Sequence, residues 1–139
     1  FRLVTGLGLL SASIVCLAAF GCEKRVTAAS DLTAEVQVSP QPPVTAASTV
    51  SIQLGDLGTK PVSGAVVTVE ADMTHPGMAP IFSTAVEKSS GKYEAPITFT
   101  MRGDWILLVH IKTATGQTLE RQIDVKGVAP AAGGNHLHE

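Results

Sequence analysis

Apolar and polar residues alternate in short runs along most of the chain after residue 30. Alternation with a period of two is typical of a strand that buries one of its faces. Seven such runs can be distinguished, at residues 32–38, 50–54, 65–70, 82–86, 93–99, 105–111 and 118–125. Outside the N-terminal stretch, no window of useful length shows the apolar period of an amphipathic helix. The pattern therefore predicts an all-β domain.

Turn-forming residues separate the predicted strands. The clearest turn segments are 39–43, 55–58, 89–91 and 115–117. Because short strands separated by turns at regular spacing are typical of sandwiches, we predict an Ig-like antiparallel β-sandwich of about seven strands at residues 31–127. Pro96 cannot donate a hydrogen bond to a neighbouring strand, so its strand is expected to lie at an edge or to contain a bulge.

The most apolar predicted strand begins at Trp105, the one tryptophan of the chain. Alternation predicts that one face of this strand fills the core; its residues are Trp105, Leu107, Val109 and Ile111. The opposite face then carries Ile106, Leu108 and His110, and two of these three side chains are large and apolar. We therefore predict that Ile106 and Leu108 contact another element or a partner.

Residues 1–22 form an apolar stretch in which Arg2 is the one charged residue. We predict a hydrophobic helix here, and two alternatives stay open. The stretch resembles a bacterial lipoprotein signal, in which small residues precede a cysteine, here Cys22, that becomes lipidated. It is also long enough for an uncleaved membrane anchor, since about 20 apolar residues can cross a bilayer core. Both alternatives place the domain outside the cytoplasm, in the periplasm or on the outer face of the membrane, tethered through a linker at 23–30.

Charge and cysteine content exclude several classes of function. The formal net charge is −2, so the chain has no basic field to bind nucleic acid. Its two cysteines, Cys16 and Cys22, both lie in the apolar stretch, which excludes a disulfide, a cysteine-based zinc site and a thiol nucleophile in the domain. No frame for a Ser-His-Asp triad or a phosphate-binding loop is present. We therefore expect a protein that is not an enzyme.

The segment Met73-Thr74-His75-Pro76-Gly77-Met78 carries the candidate chemistry. Two thioethers flank an imidazole, and Pro-Gly predicts a turn between His75 and Met78. Thioether sulfur and imidazole nitrogen suit copper, above all Cu(I), so Met73, His75 and Met78 are candidate ligands. The alternative is that both methionines are apolar fillers and that His75 is an ordinary turn residue.

Four other side chains are weaker candidates for metal binding. Met101 precedes a turn and could lie near the loop at one end of the sandwich. His110 is more often a satisfied, half-buried side chain than a ligand in such a position. His136 and His138 form a His-x-His pair, which can bind divalent copper or zinc weakly, in a tail at 128–139 that we predict to be flexible.

Three motifs in order carry a resemblance to a known family. They are Met73-Thr-His-Pro-Gly-Met-Ala-Pro80, Gly91-Lys-Tyr93, and Phe99-Thr-Met-Arg-Gly-Asp-Trp105. In these motifs the region 31–126 resembles the YtkA-like/FixH family. The resemblance implies an Ig-like sandwich outside the cytoplasm, and it associates the chain with copper handling and with assembly of haem-copper oxidases. FixH-type proteins carry an N-terminal span before this domain.

These observations lead to two hypotheses. The first is a membrane-tethered copper-binding protein that delivers copper or assists assembly of a respiratory oxidase through Met73, His75 and Met78. The second is an accessory subunit without metal, which docks on a membrane complex through the loop and the face formed by Ile106, Leu108 and His110.

Overall fold

A computed structural model describes residues 31–132 as two packed antiparallel sheets, which confirms the predicted all-β sandwich. The eight strands are β1 (Leu32–Ser39), β2 (Ala47–Asp56), β3 (Val66–Met73), β4 (Ile81–Thr84), β5 (Val86–Ser89), β6 (Lys92–Thr98), β7 (Gly103–Lys112) and β8 (Thr118–Val128). One sheet has the strand order β1-β2-β6-β5 and the other has the order β4-β3-β7-β8. Within residues 31–132 there is no helix with the length and apolarity needed to cross a membrane.

The run at 82–86, predicted as one strand, is divided between the two sheets. β4 pairs with β3, whereas β5 pairs with β6, and Ala85 lies between them. The Ala85 N–H donates a hydrogen bond of 2.8 Å to the Val67 carbonyl, so the crossing point is held against β3. Alternation could not reveal this division, because it reports which face is buried and not which strand is the neighbour.

Inward side chains from both sheets form one core. The prediction for β7 is confirmed, since Trp105, Leu107, Val109 and Ile111 are all buried. Trp105 is 1% exposed and packs edge-on against Phe99, with ring centroids 5.4 Å apart and an interplanar angle of 61°. Offset or edge-on aromatic pairs of this kind add stability beyond their buried area.

The expectation that the strand of Pro96 lies at an edge or contains a bulge is wrong. β6 lies between β2 and β5 in its sheet, and the register irregularity is in β5, between Glu87 and Ser89. β6 pairs with β2 along its length, including Thr49 opposite Pro96, but its pairing with β5 ends at Glu94. Pro96 therefore lies beyond the end of β5, at a point where β6 has a strand partner on one side only, and this position accommodates a residue that lacks an N–H.

β3 continues three residues beyond its predicted end at Glu70. Ala71 and Met73 maintain the inward alternation of Val67 and Val69, and Met73 pairs with Trp105 across the sheet. The segment 71–73, which lies outside the predicted strand at 65–70, is therefore regular strand. The first of the three candidate copper ligands ends β3, and the loop proper begins at Thr74.

The chain stays attached to the sandwich past the predicted domain boundary at 127. Val128 is buried, and Ala129 forms an isolated bridge with Val44. The Ala129 N–H donates to the Pro43 carbonyl at 3.0 Å, and the Thr45 N–H donates to the Ala129 carbonyl at 2.7 Å. The sequence predictions for 1–22, for lipidation of Cys22, for the linker at 23–30 and for His136 and His138 lie outside the described residues.

Candidate metal-binding loop and its surroundings

The loop at 74–80 lies at one end of the sandwich, which we call the loop end. β3 runs toward this end and β7 runs away from it, with Met73 opposite Trp105. The connection between β6 and β7 at 99–102 and the last residues of β8 lie at the same end, since Gly103 pairs with Val128. Three separate segments of the chain therefore meet around the candidate ligands.

Met73 faces the core. It is 6% exposed, and its Cε lies 3.4 Å from where a Cβ at Gly103 would be. Its N–H donates a hydrogen bond of 2.8 Å to the carboxylate of the neighbouring Asp72. A methionine in this position fills space between the sheets, as in the alternative interpretation of the sequence.

His75 and Met78 occupy different environments beyond the end of β3. His75 is exposed, whereas Met78 is half-buried and packs against the core cluster that contains Met73. Gly77 has a φ of 96°, which a residue with a Cβ rarely adopts, and it reverses the chain between them. The structure thus brings the three candidates to one end, with both methionines against the core and the imidazole in solvent.

Met101 lies at the loop end, as predicted, and its side chain is 48% exposed. Its carbonyl accepts a hydrogen bond of 3.0 Å from the Trp105 indole N–H. The β6–β7 connection is therefore fixed to the core through its backbone, which leaves the thioether of Met101 available at the surface.

Asp104 connects the loop to the end of β8, and sequence reasoning missed it. Its carbonyl accepts a hydrogen bond from the Thr74 N–H at 3.4 Å, and its carboxylate accepts one from the Gly127 N–H at 2.9 Å. The Gly127 hydrogen bond does most to lower the pKa of Asp104. Burial opposes this effect, and Lys126 and His75 lower the pKa further. No local sequence signal relates residue 104 to residues 74 and 127, because their proximity follows from strand register.

His110 lies far from the loop end, on the outer face of β7. Its Nε2 is 3.3 Å from a Glu70 carboxylate oxygen and its Nδ1 is 3.0 Å from a Glu120 carboxylate oxygen. Both ring nitrogens therefore face carboxylates on the two neighbouring strands. Across residues 31–132 there is no group of three or more His, Cys, Asp or Glu side chains arranged to hold a metal ion.

Ile106 and Leu108 share the outer face with His110, as predicted, and both are half-buried. Phe82 on β4 and Leu108 on β7 flank Glu70 on β3, and Phe82 is 63% exposed. We call Phe82, Ile106 and Leu108 the outer apolar patch. The outer face of the other sheet is polar at the corresponding positions; its residues include Glu35, Gln37, Ser51, Gln53 and Glu94.

The Gly91-Lys-Tyr93 motif lies at the opposite end and has a structural role. The Tyr93 hydroxyl donates to the Val62 carbonyl at 2.8 Å and accepts from the Ala65 N–H at 3.1 Å, and burial raises the pKa of Tyr93. The Glu87 carboxylate accepts hydrogen bonds from the N–H groups of Gly64 and Gly91, of which the Gly64 bond does most to lower the pKa of Glu87. These bonds hold the β2–β3 connection against the sandwich.

Comparison with solved structures shows likeness in fold at low identity. A DUF4426-family protein from Pseudomonas aeruginosa matches with a TM-score of 0.51 and 14% identity, over 73% of this chain and 93% of that one. The PmoD soluble domain from a Methylocystis species matches with a TM-score of 0.45 and 13% identity, over 70% and 97% of the two chains. Murine CRIg matches with a TM-score of 0.40 and 12% identity, over 71% and 99%.

Sequence comparison identifies the family. No curated protein matches the chain. The profile of the YtkA-like family matches residues 27–110, which include β1 to β6, most of β7 and the whole candidate loop. The match covers more than half of the sequence and agrees with the resemblance carried by the three motifs. The chain therefore belongs to the YtkA-like family.

Proposed function

We propose that this protein is a membrane-tethered, extracytoplasmic accessory protein that binds Cu(I) at the loop end and delivers it, or assists assembly of a haem-copper oxidase. Membership in the YtkA-like family suggests a membrane-associated accessory role outside the cytoplasm. The observation that carries the copper proposal is the position of the two methionines. Met73 and Met78 lie on either side of one tight turn and pack against the same core cluster, with His75 between them in sequence.

The donor set determines which ion the loop end would prefer. Two thioether sulfurs and one imidazole nitrogen are soft to borderline ligands, and such a set favours Cu(I) over Mg²⁺, Ca²⁺ or Mn²⁺. His75 is exposed and would meet the incoming ion first, while Met78 is half-buried beside it. Met73 would complete the site through a change of side-chain rotamer, which its three rotatable bonds permit. An ion held at an exposed end by three ligands leaves a position for a partner's donor.

A Cu(I) titration against a competing chelator tests this proposal. Cys16 and Cys22 are first replaced by serine, because thiolates bind Cu(I) and would mask the site. We expect one site in this background and a loss of affinity of at least about tenfold, or about 1.4 kcal/mol, when Met73→Leu and Met78→Leu are combined. Methionine and leucine have similar volumes, so the double variant should keep its fold, as a thermal melt can verify.

Met101→Leu is the matched control, since it removes the third methionine from an exposed position at the same end. We expect it to bind Cu(I) like the parent. Equal and weak binding by the parent and the double variant would refute the copper proposal. If Met101→Leu alone lowers the affinity for Cu(I), the site lies instead at the β6–β7 connection.

A second candidate function is docking on a membrane complex without metal. The observation that favours it is the outer apolar patch, in which an aromatic side chain that is 63% exposed adjoins two half-buried aliphatic ones. Exposed apolar groups of this kind, surrounded by polar residues, are typical of protein contact sites. Carboxylates of Glu70 and Asp72 adjoin the patch, so a partner surface with apolar and basic side chains would be complementary.

Co-purification distinguishes docking from copper binding. If the patch docks on a respiratory oxidase, Phe82→Glu combined with Leu108→Glu should abolish recovery of the oxidase with the tagged chain. Met73→Leu combined with Met78→Leu should then leave the recovery unchanged. Recovery that is insensitive to the patch substitutions would exclude this face as the docking surface.

A further inference from the structure

β8 leaves a long open edge on one side of the sandwich. It is the last strand in the order β4-β3-β7-β8, so among the strands of residues 31–132 only β7 pairs with it along its length. With eleven residues, β8 is the longest of the eight strands, and it contains no proline. The backbone N–H and C=O groups along such an edge can pair with a further strand, and proteins commonly keep edges short or covered for this reason.

The other edges are shorter, and the open run on β8 has clear limits. β4 and β5 have four residues each, and the chain crosses between them at Ala85. β1 has eight residues and is followed at once by Pro40. At the loop end, the segment 43–45 pairs with Ala129, the residue that follows β8. The open run is therefore β8 itself, residues 118–128.

A second copy of β8 can pair with this run about a two-fold axis. When the axis is perpendicular to the sheet, the two strands are antiparallel and each residue lies opposite a residue of the same face. With the axis at Ile123, Thr118 lies opposite Val128 of the second copy, and all eleven residues of both strands are paired. Any other position of the axis shortens the paired run.

The charges on the outer face of β8 favour the same register. With the axis at Ile123, Glu120 lies opposite Lys126 of the second copy. Gln122 then lies opposite Asp124, so that an amide faces a carboxylate. An axis at Gln122 would instead place Glu120 opposite Asp124, and an axis at Asp124 would place that carboxylate opposite its own copy. Opposite charges that face each other across an antiparallel pair are favourable, whereas like charges there are destabilising. The register that pairs the whole strand is thus also the one that avoids like charges.

These cross-strand pairs would extend contacts that each copy already makes. The Glu120 carboxylate is 3.0 Å from the His110 Nδ1, and the Lys126 Nζ is 3.4 Å from an Asp104 carboxylate oxygen. A pair of Glu120 with Lys126 across the axis would join these two contacts into one polar row. On the inner face, Ile123 packs against the core cluster and would meet Ile123 of the second copy at the axis.

We propose that the chain forms a two-fold symmetric dimer through antiparallel pairing of β8 with β8 of a second copy, centred on Ile123. The four-stranded sheets of the two copies become one continuous sheet. The outer apolar patches then lie on the same face of that sheet, and the two loop ends point in opposite directions. This inference goes beyond the proposed function, because it involves neither methionine of the loop nor a membrane partner.

Disulfide trapping of the full chain tests the pairing and its register. Cys16→Ser and Cys22→Ser provide a background without thiols. The Cβ atoms of directly opposite residues lie about 4.5–5.5 Å apart, close to the separation of about 3.5–4.5 Å in a disulfide. Ile123→Cys is therefore expected to give most of the chain as a covalent dimer on oxidation with diamide, which a non-reducing gel detects.

Gln122→Cys and Asp124→Cys are the matched controls for the register. With the axis at Ile123, each of these residues lies diagonally from its own copy, at about 7–8 Å. We expect their yield of covalent dimer to be at least about fivefold lower than that of Ile123→Cys. Gln37→Cys, exposed on β1 at the edge of the other sheet, measures random collision and should give the least dimer.

Exchange of charges tests the cross-strand pair itself. In the Ile123→Cys chain, Glu120→Lys would place two lysines opposite each other, and Lys126→Glu would place two glutamates there. Each single substitution should lower the dimer yield several-fold, and the two together should restore it. The combined variant loses the contacts with His110 and Asp104 within each copy, so restoration can come only from pairing between copies. A thermal melt verifies that each variant is folded.

Three results would overturn the proposed dimer. They are a yield for Ile123→Cys no higher than that for Gln37→Cys, a yield at residue 122 or 124 that equals or exceeds the yield at 123, and no recovery in the charge-exchanged variant. Met73→Leu with Met78→Leu should leave the yield unchanged. The dimer and the proposed Cu(I) site can therefore fail independently of each other.

Discussion

Replacing Trp105 with alanine is expected to lower the free energy of unfolding by about 3–5 kcal/mol, the range for removing a large aromatic side chain from a packed core. Trp105 is 1% exposed, and it packs against the ring of Phe99, the first residue of the β6–β7 connection. Its indole N–H also holds the Met101 carbonyl. Alanine would leave a cavity beside the Phe99 ring. It would also remove the hydrogen bond that holds the β6–β7 connection at the loop end.

Urea denaturation followed by far-UV circular dichroism measures this loss, because fluorescence cannot be used once the only tryptophan is removed. Trp105→Phe is the informative partner variant. It keeps an aromatic ring and loses the hydrogen bond to Met101, so it should cost roughly half as much or less. A loss below about 1 kcal/mol for Trp105→Ala would contradict the central place of this side chain in the core.

Replacing Gly91 with alanine should have the next largest effect, a loss of about 2–5 kcal/mol in the free energy of unfolding. Gly91 has a φ of 72°, and a Cβ there would lie 2.6 Å from the Leu54 carbonyl oxygen and 2.8 Å from the Pro61 Cβ. The Leu54 contact is with backbone of a central strand, which cannot yield as a flexible side chain could. Chemical denaturation at constant pH provides the measurement.

Gly64→Ala separates the two causes of this loss. Gly64 has nearly the same φ, 71°, but nothing lies within 4 Å of the position that its Cβ would take. Its cost should therefore be the conformational one alone, about 1–2 kcal/mol. If Gly91→Ala lowers the free energy of unfolding no more than Gly64→Ala does, the close approach of Leu54 and Pro61 contributes nothing to the loss.

Alternation and turn chemistry were sufficient to predict the fold, because both act locally. The inward set of β7 followed from a period of two, whereas the missing N–H of Pro96 wrongly suggested an edge strand or a bulge, because β6 is paired on both sides along only part of its length. The division at Ala85 could not be predicted in this way. β4 and β5 belong to different sheets, and membership depends on contacts with β3 and β6 that are distant in sequence.

The candidate loop was predictable as a turn and only partly as a site. Soft donors around Pro76-Gly77 could be recognised from composition alone. The burial of Met73 followed from two further inward positions in β3, at residues 71 and 73, and a longer search for alternation would have found it. The contacts of Asp104 could not be predicted from the sequence. Thr74 and Gly127 lie next to it because β7 pairs with β3 on one side and with β8 on the other.

Met73 gives the proposed Cu(I) site a physical connection to the core. Its Cε lies against Gly103, and its backbone pairs with Trp105. Turning this side chain toward an ion would vacate space between the sheets, so occupancy and packing at the loop end would be coupled. Such coupling would lower the affinity of the proposed site for its ion.

β1 runs from the end of the sandwich at which the described chain begins to the loop end. Asp31 lies at the end remote from the loop, and the eight residues of β1 rise about 26 Å at roughly 3.3 Å per residue. The methionines and His75 therefore lie about one strand length from the point at which the described chain enters the sandwich.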